Sequence, residues 1–210
     1  MNDDFEPVMA ALFSHLVAAA ALSFTADAVA ASAVLENVSS FTDLFVGLPV
    51  FGPGVGKGLA IHALDEDAQT VTLTAAVTAG GTAAGFKTGF LTTGRRTPHW
   101  SQVSAQPALF LRRIGVTDEA QEPFMRTTLE CEAWIYCNAG ENPDIAPDEA
   151  LTVLERLVRN SLKAPGWDDD LHFTLGGLAY WCRIEGRSDI SPGDQGGQAI
   201  ARLPIRVTLP

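Results

Sequence analysis

The sequence predicts an α+β fold: helices packed on a mixed or antiparallel sheet, with a β-rich subdomain inserted after the first helix. Two segments, Phe5 to Ala19 and Leu151 to Leu162, repeat apolar residues at three- and four-residue steps. Elsewhere short runs alternate apolar and polar residues, the clearest being TTLECEAWIYC. The order helix, strands, helix, strands is that of helices segregated onto one sheet.

A chain of 210 residues with 47% hydrophobic and 19% charged residues is long enough and apolar enough to bury a substantial core. Its formal charge of −11 argues against a surface that grips nucleic acid, which depends on cationic contacts to phosphates. The same charge is compatible with a conduit wall past which DNA slides.

The first helix is expected to be capped by Asn2 or Asp3 and to end near Leu22, with Phe5, Val8, Met9, Leu12, Phe13, Leu16 and Ala19 on its apolar stripe. The run Val8 to Leu22 reads as neither a signal peptide nor a membrane span. Asp3, Asp4 and Glu6 precede it where a basic region belongs, and it falls short of the roughly 20 residues needed to cross. Residues 25–40 are rich in Ala, Val and Ser without clear periodicity, so helix and strand compete and no element is assigned.

Residues 41–89 turn to Gly, Thr, Val and Ala. LAIHAL and QTVTLT, joined by DEDA, read as a β-hairpin with Val71 and Leu73 on one face. FGPGVGKG, Phe51 to Gly58, packs glycines around Lys57 as a phosphate-binding loop does. Its spacing does not fit: the position five before Gly56 is Phe51, no hydroxyl follows Lys57, and a strand-like run follows where a helix must begin. The stretch is expected to be turn architecture, with Lys57 in solvent.

Beyond Gly89, PALFLRRI predicts a short buried strand. In the next strand Leu129, Cys131, Ala133, Ile135 and Cys137 share one face, and Glu130, Glu132, Trp134 and Tyr136 the other. That acidic, aromatic outer face suggests an interface or a lumen. A loop, NAGENPDIAP, leads to a helix from about Asp148 to Lys163 with Pro147 at its start and Gly166 closing it. LGGLAYWCRIEG and GQAIARLPIRVTLP supply two last strands, with RSDISPGDQGG as a polar link.

The residues offer no catalytic constellation. His15, His62, His99 and His172 are scattered singly, there is no G-x-S-x-G turn, and the three carboxylates of WDDDLHF are adjacent in a loop, where they rarely converge on one cation. No cofactor or metal is expected. Cys131 and Cys137 lie roughly 20 Å apart along one strand, which excludes a disulfide between them and favours a reducing cytoplasm. Arg95, Arg96, Arg112 and Arg113 are the dense positive spots, better placed to pair with acids of a neighbouring subunit than to hold DNA.

The amphipathic first helix, TTGRR…W..V..QPALFL, LECEAWIYCNAG, the second helix, LGGLAYWCRIEG and the closing LPIRVTLP together resemble the tail terminator proteins of long-tailed bacteriophages. The likeness covers residues 1–24 and 90–210; removing the intervening region restores the family order, so 41–89 reads as an inserted β-rich subdomain. The resemblance implies a non-enzymatic virion protein, assembled in the host cytoplasm. It would form a homo-oligomeric, typically hexameric, ring that stops growth of the tail tube and meets the head connector or stopper, with DNA passing through. Arg95, Arg96, Trp100, Arg112, Arg113, Glu130, Glu132, Trp134 and Tyr136 are the candidate contacts. The alternatives are another head–tail joining or tube protein and, further off, a nucleotide-binding enzyme using residues 52–58.

Overall fold

The computed structural model describes residues 5–103, 105–121, 124–138, 148–163, 173–195 and 198–210. Among the described residues two α-helices and twelve strands form an α+β protein with two sheets.

Helix α1, Glu6–Ala18, starts at Phe5 with Pro7 in its first turn, where a missing N–H costs nothing. It stops four residues short of the expected Leu22, because Ala20 and Leu22 are drawn into the pairing that opens the next element. The proposed caps Asn2 and Asp3 lie outside the described residues. Val8, Met9, Leu12 and Leu16 are buried, as the stripe predicts.

The first sheet contains β1 (Ser23–Ala28), β2 (Val34–Glu36), β3 (Val50–Phe51), β4 (Ile61–Asp65), β5 (Thr70–Leu73) and β6 (Gly81–Thr88), in the order β3-β6-β1-β2-β5-β4. Every pairing is antiparallel. The two outermost strands also meet: Pro49 bridges Ala60, Val50 N–H donates to Leu59 at 3.0 Å, and Ile61 N–H donates to Leu48 at 3.0 Å. The sheet thus closes into a six-stranded barrel without free edges. Phe24, Leu35, Leu48, Ile61, Val71 and Phe86 fill it.

Residues 25–40, left unassigned from sequence, therefore hold β1 and β2 at the barrel's centre, and the β-rich unit begins at Ser23 rather than at 41. β1 does alternate, with Phe24, Ala26 and Ala28 buried, but the run is short and mostly small residues, so its period is weak in the sequence; the bulge in its pairing lies on β6, where Thr82 and Ala83 oppose the single Asp27. Opposite the bulge, Asp27 accepts the Ala83 N–H at 2.6 Å and an Asn37 amide proton at 2.7 Å, holding Ala83 in a left-handed conformation. The expected hairpin of β4 and β5 is present, with Val71 and Leu73 buried.

The second sheet has β7 (Thr92–Gly94), β8 (Ala108–Gln121), β9 (Phe124–Asn138), β10 (Trp181–Ile184), β11 (Asp189–Gln195) and β12 (Gln198–Thr208). Its order is β10-β12-β9-β8-β7, with β11 following β10 along the same side of β12, and only β7 and β8 run parallel. β8 is far longer than the short strand expected from PALFLRRI, because its polar second half is held by pairing with β9 rather than by burial. The link RSDISPGDQGG is also corrected: Asp189–Gln195 of it is an edge strand, a place that tolerates Pro192.

One face of this sheet, with Leu109, Leu129, Cys131, Ala133, Ile135, Ala201 and Leu203, packs under α1 and under α2, Asp148–Ser161. Leu151, Leu154, Leu157, Val158 and Leu162 are buried there, as predicted from their spacing. The barrel belongs to the same helix side: Arg156 of α2 pairs with Asp43, and one continuous apolar core joins both sheets.

Candidate functional site

The opposite face of the second sheet carries most of the residues that the sequence singles out. Strand register sets them in rows: Phe110, Trp134, Arg202 and Asp189 in one, Arg112, Glu132 and Pro204 in the next, and Glu130, Arg206 and Arg183 beyond. Among the described residues no helix covers this face.

Glu132 is the hub. Its carboxylate accepts Arg112 Nε at 3.1 Å, Arg112 Nη2 at 2.9 Å and Trp134 Nε1 at 3.0 Å, and lies 3.4 Å from Arg202. Arg202 also pairs with Asp189. The two guanidinium groups flank the Trp134 ring, 5.4 and 5.9 Å from its centre. A second knot joins Arg206 to Glu185 at 2.6 Å and Glu130 at 3.5 Å, while Arg183 pairs with Glu185 and lies 4.4 Å over Trp181. Such exposed pairs are each worth about 0–1 kcal/mol, so the lattice orients side chains more than it stabilises the fold. Beside it Trp134, Ile190, Ile200 and Arg202 line a groove of about 400 Å³.

Tyr136 departs from expectation. Although it alternates with Trp134 and Glu132, it is only 2% exposed, buried with Val103, Ala108 and Phe110 beneath the chain that precedes β8. Burial pushes its hydroxyl pKa up, against the lowering effect of Arg112. That cover comes from a distant segment, which strand alternation cannot reveal.

The four candidate arginines do not form one patch. Arg112 and Arg113 point to opposite faces, as neighbours on a strand must. Arg113 sits 5.4 Å over the Phe5 ring, while Arg95 pairs with Glu6, so both flank the start of α1. Arg96 is exposed. Arg95 and Arg112 thus have carboxylate partners inside the chain, where the sequence suggested a neighbouring subunit. The Trp100 side chain lies outside what the structure describes.

No protein-family model and no curated protein matches this sequence.

The glycine loop is a tight turn between β3 and β4. Val55 N–H donates to Gly52 and Leu59 N–H to Gly56, while Thr78 donates to Gly54. These groups serve local carbonyls, Lys57 is exposed, and a strand follows. Among the described residues no three His, Cys, Asp or Glu side chains gather as metal ligands; WDDDLHF up to His172 lies outside them. All three cysteines are free and buried; burial pushes Cys131 and Cys137 up to about 12 and raises Cys182 further.

The feature that sequence reasoning missed is the state of the second sheet's edges. Beyond Phe110 the outer side of β8 has no strand partner among the described residues, and the outer side of β11 has none either. Exposed apolar side chains flank both: Ile114 and Val116 on β8, Ile190 on β11, and Leu178 and Tyr180 leading into β10. Its signal in the sequence is Ile114 and Val116, apolar residues that continue past Arg112 and Arg113 after the buried run Ala108 to Leu111.

Proposed function

We propose that this chain is a structural protein of a phage virion, a tail terminator that assembles as a ring on the head-proximal end of the tail tube. There it stops tube growth and provides the joining surface to the head connector or stopper.

The observation that supports this reading is the pair of unlike open edges on the second sheet. Unpaired strand edges lined by apolar side chains are aggregation hazards unless something covers them. The barrel, by contrast, leaves none. Pairing the β8 edge of one copy with the β11 edge of the next is a heterologous contact, and such contacts repeat until rotation closes a ring. A hexamer is the ring that the resemblance implies.

The test is tube capping. Purified protein added to growing tail tubes should bind one end and fix tube length, and β8-edge variants such as Val116→Lys should fail to do so while remaining folded. If tubes lengthen unchecked or incorporate the protein along their length, the terminator reading fails and the tube-subunit alternative replaces it.

A further inference from the structure

The free edges of β8 and β11 are matched in more than their apolar content. Successive antiparallel pairings from β8 through β9 and β12 make β8 and β11 run in opposite directions. A ring repeats the sheet in one orientation, so the β8 edge of one copy meets the β11 edge of the next antiparallel. Side-chain face, backbone direction and charge then select how the two strands slide past each other.

Val116 lies opposite the buried Leu129, which puts its side chain on the helix side; Glu119, three residues on, is exposed on the open side. On the other edge Ile190 lies opposite the buried Ala201, again on the helix side, and Arg159 of α2 donates to the hydroxyl of Ser188 there. Arg187 lies 3.9 Å from Asp189, which faces Arg202 on the open side.

Leu209 N–H donates to the Thr127 carbonyl at 2.8 Å, so odd-numbered residues of β9 turn their backbone groups toward β12. Leu129 is one of them, and Val116 opposite it therefore turns its N–H and C=O to the free side. By the same phase Ile135 bonds with Ala201, which leaves the backbone groups of Ile190 pointing outward as well.

A joint that keeps both phases can slip only in steps of two residues. With Val116 opposite Ile190, Glu119 falls opposite Arg187. A slip of two residues one way sets Glu119 against Glu185, and a slip the other way sets it against Asp189, so both neighbouring registers oppose like charges. Val116 and Ile190 are 40% and 49% exposed and the Arg187 side chain is 92% exposed, so each is accessible to a second copy.

We propose that neighbouring copies of this chain join in that one register: Val116 packs on Ile190 on the helix side, and Glu119 pairs with Arg187 on the open side. The proposal rests on the ring reading above and adds to it the residues that select the register.

Cysteine pairs test the register. Opposed Cα atoms about 5.5 Å apart suit a disulfide, and a two-residue slip carries them past the reach of about 7 Å. Oxidised V116C/I190C should give a ladder of covalently linked subunits on non-reducing gels. V116C/S188C and D118C/I190C, which match the two slipped registers, should give none, nor should the wild type, whose cysteines are buried. E119R and R187E should each raise the concentration needed for assembly at least about threefold, and E119R/R187E should restore it, which guards against a folding defect. A ladder from either slipped pair, or no recovery in the double reversal, overturns the proposal. Native mass spectrometry of the wild type separates the two claims. Rings without a V116C/I190C ladder sink the register and leave the ring reading standing; monomers without a ladder sink both.

Discussion

Thr88 ties the outgoing strand of the barrel to Leu22 at its incoming end. The Thr88 N–H donates to the Leu22 carbonyl at 2.9 Å, and the Thr88 hydroxyl accepts the Leu22 N–H at 3.2 Å while donating to Ala20 at 2.8 Å. The barrel therefore leaves the helix-and-sheet layer and returns to it at one point, as a unit inserted into an existing fold does.

Excision follows from that geometry. Joining Leu22 to Thr88 through an Asn-Gly turn, which removes residues 23–87, should leave a protein that still unfolds cooperatively, at a lower Tm because the shared core loses its barrel side. Removing 41–88 instead should abolish the cooperative transition, since it leaves Phe24 and Leu35 on β1 and β2 without β5 and β6. Calorimetry of the two deletions decides. A cooperative transition in the second and not the first would place the boundary at 41 after all.

The glycine loop separates two kinds of backbone constraint. Gly54 has φ +70°, and a Cβ there would meet the Ala79 nitrogen at 2.3 Å; Gly58 has φ +83° and open space around it. Gly58→Ala should cost about 1 kcal/mol from backbone conformation alone. Gly54→Ala adds a backbone clash and should cost at least about twice that. Equal losses in denaturant melts would show that the loop relaxes and that the close approach of Gly54 to Ala79 is unimportant.

Asp27 gives the barrel an acid sensitivity of known sign. The Ala83 N–H, and then the Asn37 amide, hold its carboxyl below the usual range. A carboxylate whose pKa is lowered on folding contributes stability above its unfolded value of about 4, and loses it as pH falls through the folded value. Wild type should therefore exceed Asp27→Ala in Tm at pH 6, with the gap narrowing below pH 4. A gap that stays constant from pH 6 to pH 2.5 contradicts this role for the charge.

The three thiols should be inert in the folded protein. They are buried, and their raised pKa values keep the nucleophilic thiolate scarce at pH 8. Iodoacetamide should label none under native conditions and all of them in denaturant, read by intact mass. Rapid native labelling of any one would show that the sheet opens locally.

Elements whose pattern is local were legible in the sequence. The stripe of α2 and the inner face of β9 follow from 3.6- and 2-residue periods, and Leu154 and Ile135 are buried accordingly. Of the barrel strands only the β4–β5 hairpin was, because the others are short, β6 bulges opposite Asp27, and the barrel closes by pairings between distant segments. β11 was hidden by Pro192 and Gly193, which punctuate loops far more often than strands. At the candidate site, the shared face of Glu130, Glu132 and Trp134 could be read from alternation. The recruitment of Arg202 and Arg206 from the last strand, and the covering of Tyr136, depend on tertiary placement that no short window contains.

The central claim is that the two open edges of the second sheet meet between copies and close a ring. Native mass spectrometry of the purified protein at about 100 μM, with negative-stain images of the same sample, tests it most directly. A closed ring near a hexamer with an open centre, lost in Val116→Lys, is the predicted result. A protein that remains monomeric at that concentration, or that grows into open-ended fibres, contradicts it.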